Sequence, residues 1–187
     1  MSEQQPARPF GLKTRLTWLL WIPLLVGLDQ GTKAYAVREL AYLEDQPPIS
    51  MLGDLFRLTF AENEGAYGSL GSELTASQRV WVLIIPNIVL LSGLLIWMLR
   101  HKNVTRLQFA ALGLIFAGGV GNLIDRVRLG YVVDFLNVGI GENFRTFIFN
   151  VADMYITGAV VLLGWIVLRP DTAAEVAPAS NAAKSTP

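Results

Sequence analysis

The stretch GGVGNLIDRV, Gly118–Val127, closes an apolar run and yet carries Asn122, Asp125 and Arg126 within five residues. Unpaired polar groups are costly in hydrocarbon, so polar residues at the end of a membrane-like helix mark a site or a buried pairing. Read alone, the run fits a buried helix of a soluble domain equally well. The rest of the chain decides against that. Three further apolar runs, Leu16–Val37, Val80–Leu99 and Val151–Leu168, accompany Leu107–Ile124. Each approaches the roughly 20 residues that span a bilayer as a helix. The expected architecture is an all-α membrane protein with a four-transmembrane-helix bundle.

Composition points the same way. Of 187 residues, 52% are hydrophobic and 16% charged, against about 25% charged in an ordinary soluble domain. The net charge of zero gives no electrostatic case for nucleic acid. Without cysteine there are no disulfides, thiol nucleophiles or cysteine metal sites, and the single histidine, His101, sits in a basic loop. No metal centre or Ser-His triad is expected.

Residues 1–15 read as a short tail, 16–168 as the membrane domain with outer loops 38–79 and 125–150, and 169–187 as a disordered Ala/Pro/Ser-rich tail. The beginning of the chain imitates a signal peptide, with Lys13 and Arg15, an apolar run, and Ala34-Tyr35-Ala36 as a cleavage-like site. Asp29 and Lys33 interrupt that pattern and are four apart, able to pair along one helix face. The reading is therefore a retained first span. Arg100–Arg106 has three Lys/Arg and no acid, whereas 38–79 has three Arg against seven Asp/Glu. Both termini are then expected inside. Leu55–Phe60 alternates like a strand or short hairpin, and Ser72 or Thr75 is a cap for a short helix. Two β-like pieces flank the Gly-rich NVGIGENF, Asn137–Phe144, a candidate lid.

With this topology the polar residues gather at one leaflet. Asn122 and Asp125 share a helical face, as do Asn150 and Asp153, and Asp134 lies between the last two spans. For Asp125 an ion pair with Arg126 or Arg128 is the plain structural expectation, and for Asn150 a helix cap. Two carboxylates in a confined, partly dry site cannot readily both ionise, which suits acid–base hydrolysis. Spacing alone does not rank Asp125 against Asp134 as partner of Asp153.

DQGTK (Asp29–Lys33), NEGAYGSL (Asn63–Leu70), GGVGNLIDR (Gly118–Arg126), VVDF (Val132–Phe135) and FNVAD (Phe149–Asp153) resemble, in order, the motifs of the lipoprotein signal peptidase family, signal peptidase II. The resemblance runs from about Leu16 to Leu168. It implies an aspartyl endopeptidase of the bacterial inner membrane that removes signal peptides from diacylglyceryl-modified prolipoproteins, cutting before the lipidated cysteine. The catalytic pair falls on Asp134 and Asp153. Asn63, Asn122, Arg126 and Asn150 match substrate-pocket positions, while Asp29, Lys33 and Asp125 match supporting ones. The implied fold adds a small extracytoplasmic β-sheet cradle and a short surface helix to the bundle, acting as a monomer without cofactor. NEGAYGSL departs from the family pattern at Tyr67 and Gly68. A small four-span transporter or proton-conducting subunit, or a non-enzymatic scaffold, remains the alternative from another class.

Overall fold

The computed structural model describes residues 11–66, 70–101 and 103–168. The departure at Tyr67 and Gly68 and the tail 169–187 lie outside them. Two helices open the chain, α1 (Leu12–Leu19) and α2 (Trp21–Leu40). The sequence reading expects one helix here. Pro23 explains the break: it has no N–H for the Leu19 carbonyl and its ring crowds that group, so a new helix starts with proline in its first turn.

After a single 3-10 turn come β1 (Ile49–Met51) and β2 (Phe56–Asn63), then α3 (Ala76–Arg79). Thr75 caps α3 in a reciprocal capping box with Gln78, as its position in the sequence suggests. The helix continues through a π-helical segment, Val80–Ile84, into α4 (Ile85–Arg100). Pro86 sits in the first turn of α4 and has no N–H for the carbonyl four residues back, so the regular helical ladder is interrupted where the π-helical segment lies. A tight connection leads to α5 (Arg106–Arg128), again opened by a capping box, Thr105 with Gln108. β3 (Val132–Ile140), β4 (Phe144–Arg145) and α6 (Val151–Leu168) complete the order.

Among the described residues, three continuous helices are long and apolar enough to cross a membrane: Ala76–Arg100, Arg106–Arg128 and Val151–Leu168. Their outward faces remain apolar and exposed, Trp81, Val89, Val160 and Val161 among them, as lipid contact requires. Helix α5 is the hub, packing on α2, α4 and α6. Glycines permit its close approach. A Cβ at Gly118 would fall 2.5 Å from the Ala152 carbonyl oxygen, and one at Gly121 would fall 2.5 Å from Asp29 Oδ2.

The strands form one antiparallel sheet in the order β1-β2-β3-β4. A bulge between Leu58 and Ala61 shifts the β2–β3 register, so Ala61 rather than Phe60 pairs with Asp134. Because side chains alternate, the shift puts Asn63 on the Asp134 face; in the unshifted register Glu62 would share it. Phe60, Val133 and Phe135 pack with Ala36, Leu40 and Leu43, fastening the sheet to the end of α2. At the opposite end of the bundle, Met98, Val104 and Phe109 form a second core. There the buried Arg15 donates to the carbonyls of Met98 (3.1 Å) and Leu99 (3.4 Å), capping α4 with positive charge.

Candidate active site

Asp134 reaches the site from β3 and Asp153 from the first turn of α6. The chain between them is short and tied down. Phe149 bridges back to Leu136, its N–H donating to the Leu136 carbonyl and its carbonyl accepting from Leu136 N–H, both at 2.8 Å. The next residue, Asn150, therefore emerges beside Asp134. It caps α6 as expected: its Oδ1 accepts from Asp153 N–H (3.0 Å), and its own N–H donates to Asp153 Oδ2 (3.2 Å). Its Nδ2 is thereby turned toward Asp134 Oδ1 (2.6 Å) and Asn122 Oδ1 (3.2 Å). Asn63 Nδ2 donates to the other Asp134 oxygen at 2.9 Å.

Beneath this pair lies a buried ionic cluster. Lys33 Nζ contacts Asp29 Oδ2 (2.9 Å), Asp125 Oδ2 (2.9 Å) and Asn122 Oδ1 (2.8 Å), which uses its three donors. All four side chains are buried. An ammonium can only donate, so it holds Asn122 with oxygen inward and Nδ2 outward, where Nδ2 meets Asp153 Oδ1 at 2.9 Å. Both outer carboxylates thus accept from amides whose orientation obligatory donors dictate.

The Asp29–Lys33 pair follows its four-residue spacing. The expectation for Asp125 does not hold: its partner is Lys33, not Arg126 or Arg128. Neighbouring residues on a helix point apart, and Asp125 faces inward with Gly118, Gly121 and Asn122. Its Oδ1 also accepts from Gln30 Nε2 (2.9 Å), and its Oδ2 accepts from Val133 N–H (3.2 Å), fixing the start of β3. Asp29 Oδ1 accepts from Ala152 N–H (2.9 Å) at the start of α6, where the helix dipole favours an anion. The polar residues of the opening stretch thus join α2, α5, α6 and β3.

Arg126 Nη2 donates to the Gly65 carbonyl at 2.7 Å, and its Nε is buried without a partner among the described residues. Burial pushes Asp134 up to about 6. The Asp153 carboxylate adds to the rise, while the amides of Asn63 and Asn150 oppose it.

Asp134, Asp153, Asn63, Asn122 and Arg126 line one cavity of about 370 Å³. Below them its wall is mostly apolar, formed by Leu90, Leu91, Leu94, Ile115 and Ile156, with the neutral Asn87 and Thr157 and no charged side chain. A proton or ion path would need charged groups along that wall, so the transporter alternative finds no support.

The sequence profile of the family Signal peptidase (SPase) II matches residues 21–169. The lipoprotein signal peptidase of Pseudomonas aeruginosa strain PAO1 is 37% identical over 164 residues, covering 87% of this chain and 94% of its own. That of Sphingopyxis alaskensis is 42% identical over 137 residues, covering 73% and 76%. A solved bacterial membrane enzyme superposes with a TM-score of 0.69 at 25% identity, covering 97% of this chain and all of its own.

The chain belongs to the signal peptidase II family. It is thus a membrane peptidase of the aspartic class, and the order of its five motifs reflects that descent. Two features of this family member escaped the sequence reading. Gln30 bridges Asp29, Asp125 and the Gly121 carbonyl; its place beside Asp29 in DQGTK was the available signal. Asn87 lines the cavity from α4; a lone amide after a proline in an apolar span marked it.

Proposed function

We propose that this chain removes the signal peptide of diacylglyceryl-prolipoproteins, cutting before the lipidated cysteine, with Asp134 and Asp153 as its acid–base pair. The observation that carries this reading is the meeting of two carboxylates, from segments joined through a tied-down Asn150, on one cavity with an apolar lower wall. In this reading α1 and α2 supply the first of four spans, both termini are cytoplasmic, and the site lies near the outer leaflet of the inner membrane. Residues 16–168 form the peptidase, acting as a monomer, with residues 1–15 and 169–187 as tails. Neither nucleic acid nor cofactor takes part.

The signal peptide enters sideways from lipid. Asn63 and Arg126 hold its carbonyls. Burial favours the protonated form of Asp134, which serves as the acid, and Asp153 takes a proton from water, which attacks the scissile carbonyl. Asp134 polarises that carbonyl as the tetrahedral intermediate forms. A proton then passes to the cysteine nitrogen, and the C–N bond breaks. Asn122 and Asn150 serve by aiming the carboxylates, and Lys33, Asp29 and Asp125 by fixing Asn122.

Cleavage of a purified diacylglyceryl-prolipoprotein in detergent tests the pair. Asp134→Asn and Asp153→Asn should each lose at least about 10³-fold in kcat while keeping the wild-type melting behaviour. Turnover surviving in either folded variant would reject the assignment.

A further inference from the structure

Asn87 has no role in the chemistry above and no side-chain hydrogen bond to any described residue, although it lies within an apolar helix. An amide left unpaired at that depth is costly unless something else pairs with it.

Its height in the bundle follows from its neighbours. A Cβ on Gly119 would meet Leu91 Cδ2 at 2.7 Å, so these residues face each other. Helices α4 and α5 run antiparallel through a tight connection. Asn87, one turn before Leu91, therefore stands level with Asn122, one turn after Gly119. That is the level of the carboxylate pair, seen from the far wall of the same cavity.

The cavity is open on this side. Helices α4 and α6 each pack on α5, and the cavity forms the gap between them, lined by Leu90, Leu91 and Leu94 from one and Ile156 and Thr157 from the other. Leu90 both lines the cavity and is 72% exposed, so the gap leads out through the lipid-facing surface. Below Asn87 the gap continues past Leu90, Leu91 and Leu94, with no charged residue on its wall. The result is a slot with Asn87 at its outer end on the α4 wall, leucines beneath it, and Thr157 as the polar side chain on the α6 wall.

We propose that Asn87 is a specificity residue for the lipid part of the substrate, donating from Nδ2 to an ester carbonyl of the diacylglyceryl group while the acyl chain lies in the slot. The inference rests on the peptidase reading above. The lipidated cysteine contributes the nitrogen of the scissile bond, and its sulfur carries the glycerol. The first ester carbonyl oxygen lies eight bonds from that nitrogen, through the cysteine side chain, the sulfur and the glycerol, a tether that spans the cavity from the carboxylate pair to the α4 wall. Its acyl chain must leave toward lipid, and the gap between α4 and α6 provides that exit. An ester carbonyl accepts a hydrogen bond but cannot donate one, which matches an amide nitrogen with no other partner.

The test uses the full chain in detergent micelles with two synthetic prolipopeptides. They differ only in carrying two ester-linked or two ether-linked chains on the glycerol, since the ether lacks the carbonyl. The wild type should prefer the diester about three- to tenfold in kcat/KM, the worth of one neutral hydrogen bond, and chiefly through KM. Asn87→Leu should abolish that preference, and Asn87→Ala, measured in parallel, should do the same without adding bulk. A wild type that treats the two peptides alike overturns the proposal, as does a preference that survives either substitution. Cleavage of neither peptide by the wild type overturns the peptidase reading itself and this inference with it.

Discussion

Two ion-pair networks among the described residues are built from similar side chains in opposite surroundings. Lys33, Asp29 and Asp125 sit between helices, with side chains 0–4% exposed. Asp54, Arg57, Glu142 and Arg145 sit on the sheet, where Glu142 is 77% exposed. In the outer network Arg57 forks onto both Asp54 oxygens at 2.7 Å and onto Glu142 at 2.5 and 3.0 Å. The guanidinium and the Ser50 hydroxyl hold Asp54 down to about 2. This network pins the β1–β2 turn, where Leu52, Gly53 and Asp54 all have positive φ, to the β3–β4 turn. Water can replace any of its partners. Around Lys33 the side chains are almost fully buried, so losing one member leaves a buried charge unpaired. Similar chemistry thus braces a surface turn in one place and fixes the orientation of a site in the other.

The strongest challenge to this contrast is Lys33→Met. It leaves two buried carboxylates without their cation and frees Asn122 to rotate. A loss of about 3–5 kcal/mol is expected, together with loss of cleavage, read by thermal unfolding and by prolipoprotein turnover in detergent. A variant as stable as wild type would erase the distinction between the networks.

A sharper comparison comes from pH. Asp134 must keep its proton, and its pKa stands at about 6, so kcat/KM should fall as pH rises through that value. Asn63 stabilises the ionised form, hence Asn63→Leu should move the descending limb to higher pH. The same change should lower kcat/KM about tenfold through the lost hydrogen bond. A limb that stays in place or moves downward in the pH–rate profile would remove Asn63 from the electrostatics of Asp134.

The smallest effect is expected at the outer network. Glu142→Gln should lower Tm by no more than about 1–2 °C, and the change should shrink as salt is raised. A larger or salt-independent drop would mean that the surface network carries more than a turn.

Local rules made much of this legible from sequence. Ser72 or Thr75 and Asn150 read as caps, of which Thr75 and Asn150 serve. Asp29 and Lys33 read as a four-residue pair, and Leu55–Phe60 as a strand or short hairpin, within which β2 begins. The misses share a physical origin in other elements. Asp125 had two basic neighbours in sequence, but its cation comes from α2. The bulge that selects Asn63 over Glu62 depends on how β2 meets β3, which alternation within one strand does not encode. The break at Leu20 was legible through Pro23, although the hydropathy of the run obscured it. Which residues aim the carboxylates and which meet the substrate depends on amide orientation, and that is set across helices.

The box formed by Asn150 and Asp153 ties the proposed chemistry to biogenesis. Until α6 forms its first turn, Asp153 has neither its backbone partners nor its place beside Asn122, and Asn150 is not held against Asp134. A chain whose last helix has yet to enter the bilayer therefore carries a lone carboxylate and no acid–base pair. Forming the first turn of α6 and bringing the two carboxylates together are thus a single event.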